Sequence, residues 1–238
     1  MDIFAFIKNK DFEQLQKYLL DCKDRNPRDK YGSTLLRRCC SVKWMQGVKY
    51  MIEKGADIKP TRENGWTLLH ECCEVQWMEG MKYLVEKGAH INCTDKNGLT
   101  ALHRCCKVKW MEGMKYLVEK GADINCRDED GLTPLHICSD LKWIKGTRVL
   151  IMNNADPGIE DKNGESSYDL ALTAQNLELI NLILQATEKI IRKPKKNRTR
   201  VQRKRIYEIK GQKDQYLQQL TSHKKVKKYK KLWLTNLK

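Results

Sequence analysis

The chain has 238 residues, of which 32% are Asp, Glu, Lys or Arg. No apolar run approaches the roughly 20 residues that a membrane-spanning helix needs, which excludes a helical integral membrane protein. The net charge of +16 is held unevenly: residues 189–238 carry 19 Lys and Arg against Glu208 and Asp214, for +17, and residues 1–188 carry −1.

That asymmetry predicts two functional parts, a neutral body and a basic tail. The opening stretch MDIFAFIKNKDFEQ lacks a basic region followed by an apolar one, so no secretory signal is expected. The ten cysteines, with no export signal beside them, predict reduced thiols in a cytosolic or nuclear protein rather than a disulfide framework.

Residues 2–31 read as a helix pair, IFAFIKNK then DFEQLQKYLL. From Gly32 the chain repeats. Gly32, Gly65, Gly98, Gly131 and Gly164 are spaced by 33 residues throughout. The units beginning at Gly65 and Gly98 agree at 24 of 33 positions, as a duplication would. Internal periods of this size signal a solenoid.

Each unit has its own physical logic. The first Gly suits a tight hairpin turn. Thr34, Thr67, Thr100 and Thr133 precede helical stretches and can cap their free backbone N–H groups. Pro134 follows such a cap, where its missing N–H costs nothing. Met81, Leu84 and Val85 recur at i, i+3 and i+4, one apolar face of a second helix. Gly88 and Gly121 then fit a left-handed helix end, as does Asn154 in the last full unit. Residues 164–186 read as a closing pair, SYDLALTA then LELINLILQA.

A unit of this length with Thr133-Pro134-Leu135-His136, Thr100-Ala101-Leu102-His103 and Gly121-Ala122-Asp123-Ile124-Asn125 resembles the ankyrin repeat family. The resemblance covers residues 32–163 in full. It implies an all-α solenoid over residues 1–188 of about six helix-pair modules with short hairpins. The end modules, residues 1–31 and 164–188, are atypical, as caps are. It also implies a concave groove lined by hairpins and first helices, and protein binding as the usual work. The His of each Thr-x-Leu-His is expected to hydrogen-bond a neighbouring hairpin.

Three departures from the family pattern stand out. Cys39-Cys40, Cys72-Cys73, Cys105-Cys106 and Cys138-Ser139 occupy the site where the family has Ala-Ala. His70 and Cys72, two apart on a helix, point away from each other, so small apolar filling of a tight contact is favoured over zinc or a Cys–His nucleophile. Lys43-Trp44, Gln76-Trp77, Lys109-Trp110 and Lys142-Trp143 replace the family's Gly-His between the helices. Three residues after each Trp comes Gly47, Gly80, Gly113 or Gly146, where the family prefers Val. Gly inside a helix costs roughly 1 kcal/mol relative to Ala. Room for an indole against the helix backbone is the favoured compensation; an exposed Trp ladder that binds a partner is the alternative.

The duplicated units differ at nine sites: Trp66/Leu99, Leu68/Ala101, Glu71/Arg104, Glu74/Lys107, Gln76/Lys109, His90/Asp123, Thr94/Arg127, Lys96/Glu129 and Asn97/Asp130. None lies in the second helix, so divergence falls on the groove side. Drift at tolerant positions is the competing explanation. Trp66, Leu99 and Leu132 form one row, and Arg38, Glu71, Arg104 and Ile137 a second. These seven are the candidate partner-binding residues, with Trp66 and Glu71 expected to project into the groove. Packing between hairpins is the alternative. No paired carboxylates, phosphate-cradling loop or nucleophile elbow is present, so no enzyme and no cofactor or metal is expected.

Pro194 ends the helical pattern. The run 193–205 that contains it carries Lys193, Lys195, Lys196, Arg198, Arg200, Arg203, Lys204 and Arg205. Such runs serve as nuclear import signals or nucleic-acid patches, or remain solvated tails. Nuclear targeting through an import factor is the leading expectation, with nuclear or cytoplasmic residence. Specific nucleic-acid readout ranks last, since no recognised motif appears. In the final stretch Val226, Tyr229, Trp233 and Leu237 mark one face of a basic amphipathic helix. It suits an anionic membrane surface, a partner groove, nucleic acid or the solenoid's own end.

Overall fold

The computed structural model describes residues 5–22, 24–29, 32–59, 64–192 and 211. Among them are twelve helices in chain order and no strand. They run α1 (Ala5–Asn9), α2 (Phe12–Asp21), α3 (Leu35–Ser41), α4 (Met45–Glu53), α5 (Leu68–Glu74), α6 (Met78–Glu86), α7 (Ala101–Lys107), α8 (Met111–Glu119), α9 (Pro134–Asp140), α10 (Ile144–Met152), α11 (Ser167–Thr173) and α12 (Leu177–Arg192). Each consecutive pair packs together. The first helices stack in the order α3, α5, α7, α9, α11, and the second helices follow behind them.

Capping sets where the first helices begin. The Thr67, Thr100 and Thr133 hydroxyls each accept the backbone N–H three residues on, and His70, His103 and His136 reach back to the Thr backbone N–H. This reciprocal box satisfies two otherwise orphaned donors per helix. Ser166 and Asp169 do the same for α11. At the other end of the second helices, Gly88 has φ +86°, a left-handed stop that fits its expected role.

The hairpins are held by single bridges such as Thr94 to Thr100. Adjacent hairpins join through one backbone bond each: Lys96 N–H donates to Asn64 O at 2.8 Å, and Glu129 N–H to Asn97 O at 2.9 Å. A Cβ on Gly98 would lie 2.8 Å from the Glu129 nitrogen, so the close approach of the hairpins requires Gly there.

The Trp–Gly pairs resolve within one module. A Cβ on Gly80 would sit 2.1 Å from Cε3 of Trp77, and one on Gly113 at 2.1 Å from Cε3 of Trp110. The indole lies flat on its own helix, over the missing side chain. Trp44, Trp77 and Trp110 are buried and Trp143 is half-buried, so these residues are core and the exposed ladder does not form.

The residue before each Trp holds a feature that the sequence did not signal. Lys43, Gln76, Lys109 and Lys142 have φ between +50° and +54°, a left-handed conformation that costs a non-Gly residue roughly 1–2 kcal/mol. Three of them cross to the next module: Lys43 Nζ donates to Gln76 O at 3.4 Å, Gln76 Nε2 to Val108 O at 3.4 Å, and Lys109 Nζ to Leu141 O at 3.0 Å. A Gly could take the turn but could not make this tie.

The closing module differs from its expected extent. α12 runs through residue 188 to Arg192, because Thr187–Arg192 contains no helix breaker and Pro194 is the first. The division at 188/189 therefore falls inside a helix. The basic run 193–205 and the amphipathic stretch near Trp233 lie outside the described residues.

Candidate functional site

Trp66 follows the turn glycine Gly65 and is half-buried. Its indole N–H donates to Glu71 Oε2 at 3.1 Å. The ring lies 5.2 Å from the His70 ring, and the Arg104 guanidinium from the next module sits over it at 5.0 Å. Arg104 in turn pairs with Glu74. Glu71 Oε2 also takes Arg37 Nη2 at 2.6 Å, with both side chains under a tenth exposed. One network thus crosses three modules: Arg37, Glu71, Trp66, Arg104, Glu74.

The seven sequence candidates separate on this geometry. Trp66, Glu71 and Arg104 are brought together. Arg38 stands apart, bonded through Nε to Asp29 Oδ2 at 3.0 Å. Leu132 is half-buried, and Leu99 and Ile137 are buried. The expectation that Glu71 projects into the groove is corrected: it is 4% exposed, because its carboxylate is consumed by Arg37 and the indole N–H. Trp66 and Arg104 keep surface.

Sequence reasoning missed Arg37 and did not connect Glu74 to Arg104. A signal for the second existed. Trp66, Glu71, Glu74 and Arg104 are all among the divergent sites of the duplicated units, and in the fold they touch one another. Part of that divergence therefore serves a contact within the protein.

The histidines tie modules together. His70 Nε2 lies 2.8 Å from Leu99 O, His103 Nε2 3.1 Å from Leu132 O, and His136 Nε2 3.2 Å from Glu165 O. A carbonyl opposite Nε2 requires Nε2–H, which leaves Nδ1 to accept from the Thr N–H. Burial lowers the pKa of all three, opposed in each by the bond to the carbonyl.

The cysteine pairs sit in the stack of first helices. Cys39, Cys40, Cys72, Cys73, Cys105, Cys106 and Cys138 are all buried and free. Cys73 and Cys105 sulfurs are 3.3 Å apart across a module boundary. Burial pushes the Cys39, Cys73 and Cys106 thiols well up, and a bond to Cys72 together with burial does so for Cys40. A thiol held neutral is a poor nucleophile and a poor ligand. Among the described residues no group of three or more His, Cys, Asp and Glu is placed to hold a metal ion.

The family pattern described as ankyrin repeats (3 copies) matches residues 3–95, 40–128, 78–161 and 113–197. No curated protein matches the chain. The matched spans overlap from the first helix pair through α12. Together with the helix pairs, the Thr–His boxes and the hairpin-to-hairpin bonds, they place the chain in a family whose members mediate protein–protein interaction: it belongs to the ankyrin repeat family.

Proposed function

We propose that this protein is a non-enzymatic adaptor that captures a protein partner on the hairpin and first-helix side of the solenoid. That side lines the concave groove in the ankyrin arrangement. The observation that carries the reading is Trp66. Its indole keeps exposed surface while its N–H is fixed by Glu71 and one face is covered by Arg104. A large aromatic held in one orientation loses little conformational freedom on binding, which is what an anchor residue needs.

The buried Cys pairs and the Thr-bonded histidines favour a structural over a catalytic role for the groups best able to do chemistry. The basic run from Lys193 to Arg205 supplies an address, through a nuclear import factor, and a second contact to polyanions. Its support is charge alone, +17 over residues 189–238 against −1 for the body. The experiment is capture from nuclease-treated extract with the full-length protein, compared with Trp66→Ala and Arg104→Ala. Loss of a specific protein with the fold intact supports groove binding. Capture that disappears with nuclease supports a nucleic-acid bridge instead.

A further inference from the structure

The loops that follow the second helices are stitched to one another by a repeating pair of bonds, and the pattern fails once. In each intact loop an Asp carboxylate accepts the backbone N–H two residues on: Asp24 from Asn26, Asp57 from Lys59, Asp123 from Asn125 and Asp156 from Gly158, at 2.8–3.0 Å. An Asn then reaches the following loop. Asn26 Oδ1 accepts the Asp57 N–H at 2.8 Å, Asn92 Oδ1 the Asp123 N–H at 2.9 Å, and Asn125 Oδ1 the Asp156 N–H at 2.8 Å.

Between the loop after α4 and the loop after α6 both halves of the stitch are replaced. Lys59 stands where the pattern has Asn, and His90 where it has Asp. Among the described residues neither the tie nor the turn forms there. The two side chains are exposed, and within the described residues they take no ion pair or hydrogen bond in exchange. Two lost hydrogen bonds with no internal compensation are what a functional site shows. His90/Asp123 is also one of the divergent sites of the duplicated units. Unlike Trp66, Glu71, Glu74 and Arg104, His90 serves no side-chain contact within the protein.

A cavity of about 170 Å3 lies between the unstitched loops. Ile58, Ala89 and the first residues of α5, Leu68 and Leu69, give it an apolar lining, and Lys59 and His90 stand beside them. Asp57 also borders it, with its carboxylate engaged by the Lys59 N–H. Lys for Asn adds one positive charge relative to the intact loops, and His for Asp removes one negative charge.

We propose that this cavity binds the C-terminal residue of a protein partner. The apolar side chain packs on Leu68, Leu69, Ile58 and Ala89, and the terminal carboxylate accepts from the Lys59 ammonium and the His90 imidazole. The volume suits one side chain, below the roughly 300–1,000 Å3 of sites for larger ligands. An apolar wall beside two donors calls for a single residue that offers both a hydrocarbon side chain and a carboxylate, and the last residue of a chain does so. The source of that carboxylate rests on the adaptor reading. The site itself does not, and it adds a contact that uses neither Trp66 nor Arg104.

Titration of the full-length protein with N-acetyl-leucine, followed through methyl resonances, tests this. Saturable shifts are expected at Ile58, Leu68 and Ala89, with an affinity on the order of 1 mM. N-acetyl-leucinamide, which lacks the carboxylate, is expected to bind about tenfold more weakly or worse. Lys59→Asn with His90→Asp restores the stitch, and is expected to abolish probe binding and to raise the urea midpoint. No saturation at about ten times the expected affinity overturns the proposal, as does equal binding of the amide, which would mark a plain apolar pocket. Probe binding that survives in the double variant overturns it too, as does a lowered urea midpoint. Arg104→Ala, which alters the groove, is expected to bind the probe as the wild type does, so failure here and failure of groove capture are separate results; loss of the probe in that variant overturns the placement.

Discussion

His70 donates from Nε2 to the carbonyl oxygen of Leu99, 2.8 Å away in the next module. The same imidazole accepts the Thr67 N–H at Nδ1, so one neutral ring caps its own helix and ties down the next hairpin. Protonation would place a hydrogen on Nδ1 facing that donor. His103 and His136 repeat the arrangement, and burial lowers all three pKa values below 6.5.

Stability is therefore expected to fall as pH drops. Between the folded-state and unfolded-state pKa values the unfolded chain binds more protons, so acid favours unfolding. The loss begins near pH 6.5, the unperturbed value, and continues down through the lowered folded values. Urea midpoints at pH 7.5 and pH 5 check it; a midpoint unchanged or higher at pH 5 contradicts the assignment. Replacing His103 with Gln should flatten part of the dependence.

Gly80→Ala is expected to destabilise the protein, by up to about 2 kcal/mol, although Ala is the better helix former. The new methyl would lie 2.1 Å from Trp77 Cε3, and overpacking of this kind costs roughly 1–3 kcal/mol, more than the ~1 kcal/mol gain in propensity. Denaturant unfolding read through m and midpoint decides it. A stabilised variant would mean that the indole does not rest on the helix.

Glu71 and Trp66 should behave differently despite their direct bond. Glu71→Ala strips Arg37 of a buried carboxylate, and breaking such a pair costs about 3–5 kcal/mol. Trp66→Ala removes a half-exposed ring and a cation–π contact, and is expected to cost no more than about 1–2 kcal/mol. Thermal melts of the two variants give the comparison. Equal losses would place Trp66 in the core and remove it as an anchor.

Much of the architecture was legible because the 33-residue period repeats every local rule four times. Caps at Thr67, Thr100 and Thr133, the helix ends at Gly88 and Asn154, and the fit of each Trp against a Gly follow from residue types alone. The left-handed Lys43, Gln76 and Lys109 were not legible, because their payoff is a bond to a module 33 residues away. Glu71 was misplaced for a related reason. Its burial depends on Arg37, which lies in the preceding module and looks like an ordinary surface residue in the sequence.

The basic run is expected to direct the full-length protein to the nucleus in eukaryotic cells. Arg203→Ala, Lys204→Ala and Arg205→Ala together should shift a tagged protein toward the cytosol. If the run contacts ~6 phosphates, polyanion affinity should fall about 10³-fold between 50 and 200 mM salt, without base preference. Unchanged localisation and no binding at low salt would remove both roles.

The most direct measurement is partner capture by matched surface variants of the full-length protein from nuclease-treated extract. The first pair, Trp66→Ala and Arg104→Ala, alters the hairpin and first-helix side. The second, Lys82→Ala and Lys115→Ala, alters exposed residues of α6 and α8 on the second helices. With circular dichroism and melts confirming folded protein, the first pair is expected to lose the specifically captured protein and the second to retain it. Retention by the first pair with loss by the second would place the binding surface on the second helices and contradict groove recognition.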